Sequence, residues 1–507
     1  MIRRLNILSH KTFNRVLFLL SVVASLSFNV YNISIIRKTN PNNVPLNARS
    51  LVNNTSVYSV DNEYYLSPPK NYINGKGWLR DPAVSCADAV RRVPGYSMLY
   101  LIGYLCFGEV GALWFLILIQ TCLFGLFAIC ISNLIVLLNI NFNFSRVVLL
   151  ILFTLPVFYS FTFFTITEGV SFFLSGFFIY FLTKAFVLKD NKYLNYFLSS
   201  VLFTFIVLTR PVGAIGGLLF FLIFFENRKQ IIRYIGVSAT VPVLFISLWT
   251  FRNYLVTQGE FILLEKAYHP KSLDYFKIDL KGMNGLYKCW GAGSIEMSDN
   301  VLWFVNSVME KNDTTNAPIE RLYSQLPKNA NKAFSKQEFF EAVKQHQRAL
   351  IEKKAYHLKL SEMPAEYLPS QISAYEKYLA LQQKYKSAFP FDYYFVSPIR
   401  YLKQMVFHSN SSHLVVFSLP KLGPLALLVK GALFVINILF FLALFSVLFI
   451  KKNVLIKVLC LVPFTAVAFF VFYFKEVEQT YMNPFLPYML LLLFYFVNFI
   501  TTKIKPE

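Results

Sequence analysis

Long apolar runs broken by short polar connectors dominate the chain. About 20 apolar residues in a helix cross a hydrocarbon layer roughly 30 Å thick. The first such run extends from Arg15 to about Ile36, and a polar stretch from Lys38 to about Arg92 follows. From Pro94 to Leu138 more than forty residues are mostly apolar, too many for one span. Either two helices turn at Gly108-Glu109-Val110-Gly111, or a helix lying at the interface leads into one crossing. Further runs cover Val147 to Phe163, Gly169 to Val187, Tyr193 to Thr209, Pro211 to Phe225 and Tyr234 to Phe251. After a polar interval to about Lys421, three more follow: Leu425 to Ile450, Val454 to Phe474 and Met482 to Ile500.

The connectors alternate in charge. Lysine and arginine cluster before the first run, around Lys184 to Lys192, at Arg228 to Arg233, at Lys451 to Lys457 and at the carboxyl end. Such clusters mark the cytoplasmic side. They fall on one side throughout only if Pro94 to Leu138 crosses once, so the interfacial helix is the consistent choice. Pro94 suits its first turn, where a missing N–H costs nothing. The first run has no small-residue cleavage site and holds Asn29 and Asn32, so it reads as an uncleaved span. The pattern predicts an all-α polytopic membrane protein with a bundle of about ten or more transmembrane helices.

Five regions follow. Residues 1–36 form a cytoplasmic amino terminus and first span, 37–109 the first exterior loop, 110–254 a membrane bundle, 255–421 an exterior and mostly helical domain, and 422–507 the carboxyl-terminal spans. Within 255–421, Ser335 and Glu338 make a capping box ahead of Phe339, Val343 and Leu350 at helical spacing. A second amphipathic piece after Pro369 should bury Ile372, Tyr375 and Leu379.

Composition agrees with a membrane chain: 56% of the 507 residues are hydrophobic, 15% charged, and mean hydropathy is +0.49. The net charge of +22 sits largely in the connectors, and no basic aromatic module is visible, which excludes nucleic-acid binding. Six cysteines and six histidines show no metal-ligand spacing. Cys86 and Cys289 both fall in exterior loops, where a disulfide could join them.

Charges near hydrocarbon pair with one another or line a wet cavity. Glu168, Arg210, Arg252 and Glu478 all sit at exterior ends of runs, the side that also holds Asp61, Glu63, Arg91 and Arg92. They predict a polar pocket at headgroup height. Arginine there suits phosphate oxygens, and a carboxylate suits a general base. Asp61 and Glu63 could instead hold a magnesium-like ion through oxygen.

The order of motifs resembles the GT-C glycosyltransferases, especially the bacterial aminoarabinose transferase and protein O-mannosyltransferase branch. The similar stretches are Asp61-Asn62-Glu63-Tyr64-Tyr65-Leu66, Arg92-Val93-Pro94-Gly95-Tyr96, Thr167-Glu168, Thr209-Arg210-Pro211, Trp249-Thr250-Phe251-Arg252-Asn253-Tyr254 and Glu478-Gln479-Thr480-Tyr481-Met482-Asn483-Pro484. The resemblance implies an inverting transfer of a sugar from a polyprenyl-phosphate donor to a lipid, glycan or protein acceptor on the exterior face. It also implies Asp61 as base and Glu63 as second carboxylate, with Asp81 and Asp88 as rival bases. Arg91, Arg92, Glu168, Arg210, Arg252, Asn253, Glu478 and Tyr481 become the donor pocket. The family often carries arginine after the late glutamate, where this chain has Gln479-Thr480. A lipid-linked glycan polymerase or ligase, and a polytopic flippase or transporter, are the competing readings.

Overall fold

The computed structural model describes residues 9–39, 62–79, 90, 92–156, 158–188, 190–257, 259–264, 278–357, 367–407, 424–447, 454–475 and 479–504. Among them eight helices are long and apolar enough to cross a membrane, and two shorter apolar helices accompany them. The membrane part begins with α1 (His10–Thr39), α2 (Asn62–Ile73) and α3 (Gly95–Leu137). It continues with α4 (Phe142–Thr154), α5 (Thr167–Val187), α6 (Lys192–Thr209), a 3-10 helix (Pro211–Phe225) and α7 (Arg228–Thr257).

Helix α3 is two limbs joined at Gly108, whose φ of 70° and ψ of −172° only glycine adopts readily. The limbs fold against each other. A Cβ on Gly103 would lie 3.1 Å from the Ala112 Cα, and the Phe107 and Phe115 rings are 5.9 Å apart. At 1.5 Å per residue the first limb, Gly95 to Phe107, is about 20 Å long, so only the second can cross.

The run expected from Val147 to Phe163 is not one helix. Helix α4 stops at Thr154, because Leu155 precedes Pro156 and is driven to extended backbone (φ −82°, ψ 141°). The described residues that follow, through Ile166, are mostly turns buried in the bundle. Irregular backbone at such depth needs protein partners for its carbonyls. Asn29 Nδ2 donates to the Tyr159 carbonyl at 3.2 Å, Gln120 Nε2 to Thr162 at 3.1 Å and the Tyr96 hydroxyl to Phe164 at 3.4 Å. The other short run, Pro211 to Phe225, spans in another way. A 3-10 helix rises about 2.0 Å per residue, so these residues reach about 30 Å. Its thinness suits the packing, since a Cβ on Gly213 or Gly217 would strike Ile206 or Phe203.

Between the two membrane parts lies a helical domain: α8 (Ile278–Lys288), α9 (Trp303–Lys311), α10 (Ala317–Ser324), α11 (Lys336–His357), α12 (Pro369–Ala388) and α13 (Ser397–Phe407). Ser335 and Glu338 do close a capping box: the Ser335 N–H reaches Glu338 Oε2 at 2.8 Å, and the Glu338 N–H reaches Ser335 Oγ at 3.2 Å. Phe339, Val343 and Leu350 enter the core, whose largest members include Trp290 and Tyr378. The face assigned to α12 is corrected. Ile372 and Leu379 are exposed and Tyr375 is half-buried against α8, while Ala374, Tyr378, Leu381 and Tyr385 are buried. Gly282 and Gly285 of α8 let α12 approach closely on that second face, where added Cβ atoms would meet Tyr378 at 3.1 Å and Gln382 at 2.7 Å.

A buried ion pair ties α8 to α11. Lys353 Nζ lies 2.8 and 2.6 Å from the Asp279 carboxylate oxygens, and His346 Nε2 is 3.3 Å from the same carboxylate. Burial pulls His346 down to about 4, so its ring is neutral at ordinary pH. Cys289 is a free, buried thiol pushed up to about 12 by desolvation. Cys86, considered as its disulfide partner, lies outside the described residues. The chain ends with α14 (Pro424–Val447), α15 (Val454–Ala468) continued by π-helical turns to Phe474, a 3-10 turn (Gln479–Phe485) and α16 (Leu486–Ile504). Lys475 clamps the domain to this part: its Nζ donates to the Tyr393 carbonyl at 3.1 Å and sits 3.3 Å over that ring.

Candidate functional site

Two cationic centres stand at the same end of the bundle, joined by the α2 segment. The first is Arg210, between α6 and the 3-10 helix. Its Nη1 lies 2.7 Å from Glu168 Oε1 and 3.2 Å from Thr167 Oγ1. Glu168 is in the first turn of α5, where a negative charge complements the helix dipole, and Lys184 does the same in the last turn. The Arg210 guanidinium also lies 5.3 Å from the Tyr481 ring, which stacks on Phe470 at 5.7 Å. The late motif thus reaches the centre through Tyr481, whereas Glu478 is outside the described residues.

Helix α2 covers this centre. Tyr65 and Leu66 are buried against Tyr96, Tyr100 and Val170. Tyr65 meets Tyr96 edge to face at 5.4 Å, and Arg92 lies 5.5 Å from the Tyr64 ring and 5.9 Å from Tyr65. Lys70 pairs with Glu109 just beyond the Gly108 kink, which pins α2 to the second limb of α3. Glu63 is itself exposed, in the first turn of α2. Asp61, Asp81, Asp88 and Arg91 lie outside the described residues.

The second centre is Arg252, near the end of α7. Its guanidinium sits 4.8 Å over the Trp249 ring and bonds the Trp78 carbonyl at 3.2 Å and Asn253 Oδ1 at 2.8 Å. Trp78 follows α2 after turns at Gly75 (φ 72°) and Gly77 (φ 83°), and its ring is 6.4 Å from Trp249. Asn253 is fully buried, and its amide is occupied by the Ile262 and Leu263 carbonyls at 2.9 and 3.1 Å. It orders the chain beyond α7 and supports Arg252 from beside it.

Beside the centres, between the first limb of α3, α6 and α7, opens a lateral apolar groove of about 610 Å³. Its walls come from the first limb of α3 (Gly95, Met98, Ile102), from α6 (Val201, Phe205) and from α7 (Phe245), with Trp249 at one end. Arg252 sits over the ring of Trp249. Gly95 brings the first limb against α6 so closely that a Cβ would lie 2.6 Å from both the Leu208 carbonyl oxygen and Thr209 Oγ1, one residue before Arg210. Glu168, Arg210 and Tyr481 are therefore brought together, Arg92 stands above them on the α2 tyrosines, and Arg252 forms a separate centre across the groove mouth.

Sequence reasoning gave no site role to three contributors, one of which, Trp249, it quoted only within a motif. Gln120, which holds the backbone beneath Glu168, was hidden in an apolar run, although a lone glutamine there is itself a signal. Trp249 and Trp78, the aromatic seat of Arg252, meet only through the fold. For a metal, no group of three His, Cys, Asp or Glu side chains among the described residues could hold an ion, and Glu63 is the one described member of the proposed pair.

No family model and no curated protein matches the chain. Among solved structures it is similar to an oligosaccharyltransferase of Archaeoglobus fulgidus in the apo form, at 16% identity and a TM-score of 0.33. The match covers 85% of this chain and 58% of that one, so the chain spans less than two thirds of that enzyme's length.

Proposed function

We propose that the chain is an integral-membrane glycosyltransferase that moves a sugar from a polyprenyl-phosphate donor to an acceptor at the exterior membrane face. The observation that carries this reading is the apolar groove lined by Trp249, on whose ring Arg252 sits. A long isoprenoid tail suits a groove of about 610 Å³ lined by Met98, Ile102, Phe205 and Phe245. Its phosphate suits the planar fork of Arg252, held at the groove end by Trp249 and the Trp78 carbonyl. Arg210, fixed by Glu168 on the other side of the mouth, would meet the negative charge that grows on the leaving phosphate.

In the reaction, an acceptor oxygen attacks the anomeric carbon as the bond to the phosphate oxygen breaks. Polyprenyl phosphate departs, and a carboxylate accepts the acceptor's proton. We assign that base to Asp61, which directly precedes α2, with Glu63 as second carboxylate and Asp81 and Asp88 as the other candidates. The acceptor is a lipid, glycan or protein. Transfer of radiolabelled sugar from a polyprenyl-phosphate donor in proteoliposomes tests this. Wild type should release free polyprenyl phosphate and Asp61→Asn should not; full transfer by Asp61→Asn removes it as the base. Movement of intact lipid-linked sugar across the bilayer without transfer would overturn the enzyme reading.

A further inference from the structure

The helical domain buries or half-buries most of its aromatic residues but leaves one apolar face bare. Phe391, Tyr394, Phe395 and Ile399 are 69%, 58%, 57% and 62% exposed, although the domain had a core available for them. They recur three or four residues apart across the π-helical turn Asp392–Val396 and the start of α13, so they form one stripe. The inner edge of the stripe does not end in water. Phe395, Pro398 and Leu402 form one wall of an apolar groove of about 150 Å³, and Phe464, Val467 and Val471 of α15 form the other. On that same wall Phe472, and beyond it Tyr473, are 61% and 80% exposed.

We propose that the Phe391–Phe407 segment is an amphipathic foot by which the domain rests in the bilayer, with a phospholipid acyl chain in the groove beside α15. Continuity of surface carries the choice of occupant. The second wall belongs to a helix long and apolar enough to span, so the stripe extends a bilayer-facing surface without a polar break. Charge agrees: Arg400 and Lys403 flank the stripe and are exposed, while the segment's single acid, Asp392, is bonded to the Tyr385 hydroxyl. Basic flanks beside aromatic side chains match an anionic headgroup layer. The foot sets the height of the domain above Tyr481, because Lys475 ties Tyr393 to the end of the same span.

The experiment places the intact protein in nanodiscs of phosphatidylcholine and phosphatidylglycerol, with a fraction of the phosphatidylcholine bearing a diazirine on its acyl chain. After irradiation, adducts are mapped by mass spectrometry. The expected result is several-fold more adduct on Phe391, Tyr394, Phe395 and Ile399 than on Leu302, Ile372 and Leu379, which are exposed elsewhere on the same domain. Equal labelling of the two sets would overturn the proposal. So would cross-links through Phe391 to Ile399 between two copies of the chain in the absence of lipid adducts, since the face would then be a protein interface.

Discussion

The guanidinium of Arg210 meets the carboxylate of Glu168 at 2.7 Å, with only 12% and 14% of the two side chains exposed. Removing one partner strands the other in a poorly hydrated place. Arg210→Ala should therefore lose about 3–5 kcal/mol of stability, and Arg210→Gln with Glu168→Gln should recover part of it. Thermal unfolding in detergent measures both. A single variant as stable as wild type would mean that Glu168 draws on another cation.

The groove offers a test that leaves the charges alone. Val201→Trp adds bulk to its α6 wall. Affinity for a long-tailed polyprenyl-phosphate sugar should fall about tenfold, or 1.4 kcal/mol, while a short-tailed analogue binds as before. Equal loss for both donors would point to a bundle distortion instead of a tail site.

Gly95 is where the first limb of α3 touches the strand of backbone leading to Arg210. In Gly95→Ala the new methyl would stand 2.6 Å from the Leu208 carbonyl oxygen, so the backbones must part. The expected cost is about 1–3 kcal/mol, with a loss of transfer larger than the loss of folded protein. Activity per folded molecule, compared at matched temperature below each transition, reads it directly.

Acid should loosen the helical domain. His346 has a folded pKa of about 4 against an ordinary value of 6.5, so between those values the unfolded domain binds more protons than the folded one. Its contribution is complete above pH 6.5 and declines as pH falls, by about 1.4 kcal/mol per unit, until about pH 4. Hydrogen exchange of α8, α11 and α12 in the intact chain at pH 7 and pH 5 should show the change. His346→Phe should flatten it.

Asp279→Ala makes a separate prediction for the same cluster. It takes from the buried Lys353 the carboxylate that meets it at 2.6 Å, which costs about 3–5 kcal/mol. The exchange protection of α11 should collapse at neutral pH, where His346 is already neutral.

The apolar pattern made the spans legible because each must bury or present about 20 residues in sequence, and nearly every run became a helix. It could not foresee where Pro156 stops α4, because the residues beyond it stay apolar while abandoning the helix. The capping box at Ser335 was readable, since both partners lie within one turn. The buried face of α12 was not, since it is set by close approach to Gly282 and Gly285 of α8, which meet Tyr375, Tyr378 and Gln382. At the site, charge position gave Glu168, Arg210 and Arg252, but their division into two centres depends on Gly95, Trp78 and Trp249 meeting across the chain. The chemistry assigned to Asp61 remains a reading of its motif.

The 3-10 segment after Arg210 works as a ruler. Three residues make each turn, so Gly213, Gly216, Leu219 and Leu222 fall on one straight buried edge. Wound as an α-helix, the same fifteen residues would be about 7 Å shorter and that edge would spiral. Arg210 would then be drawn away from Glu168 by more than twice the length of their ion pair. The pitch of one slender helix thus sets the depth at which a guanidinium meets its carboxylate, and inserting or deleting a single residue there would detune the pair without touching either partner.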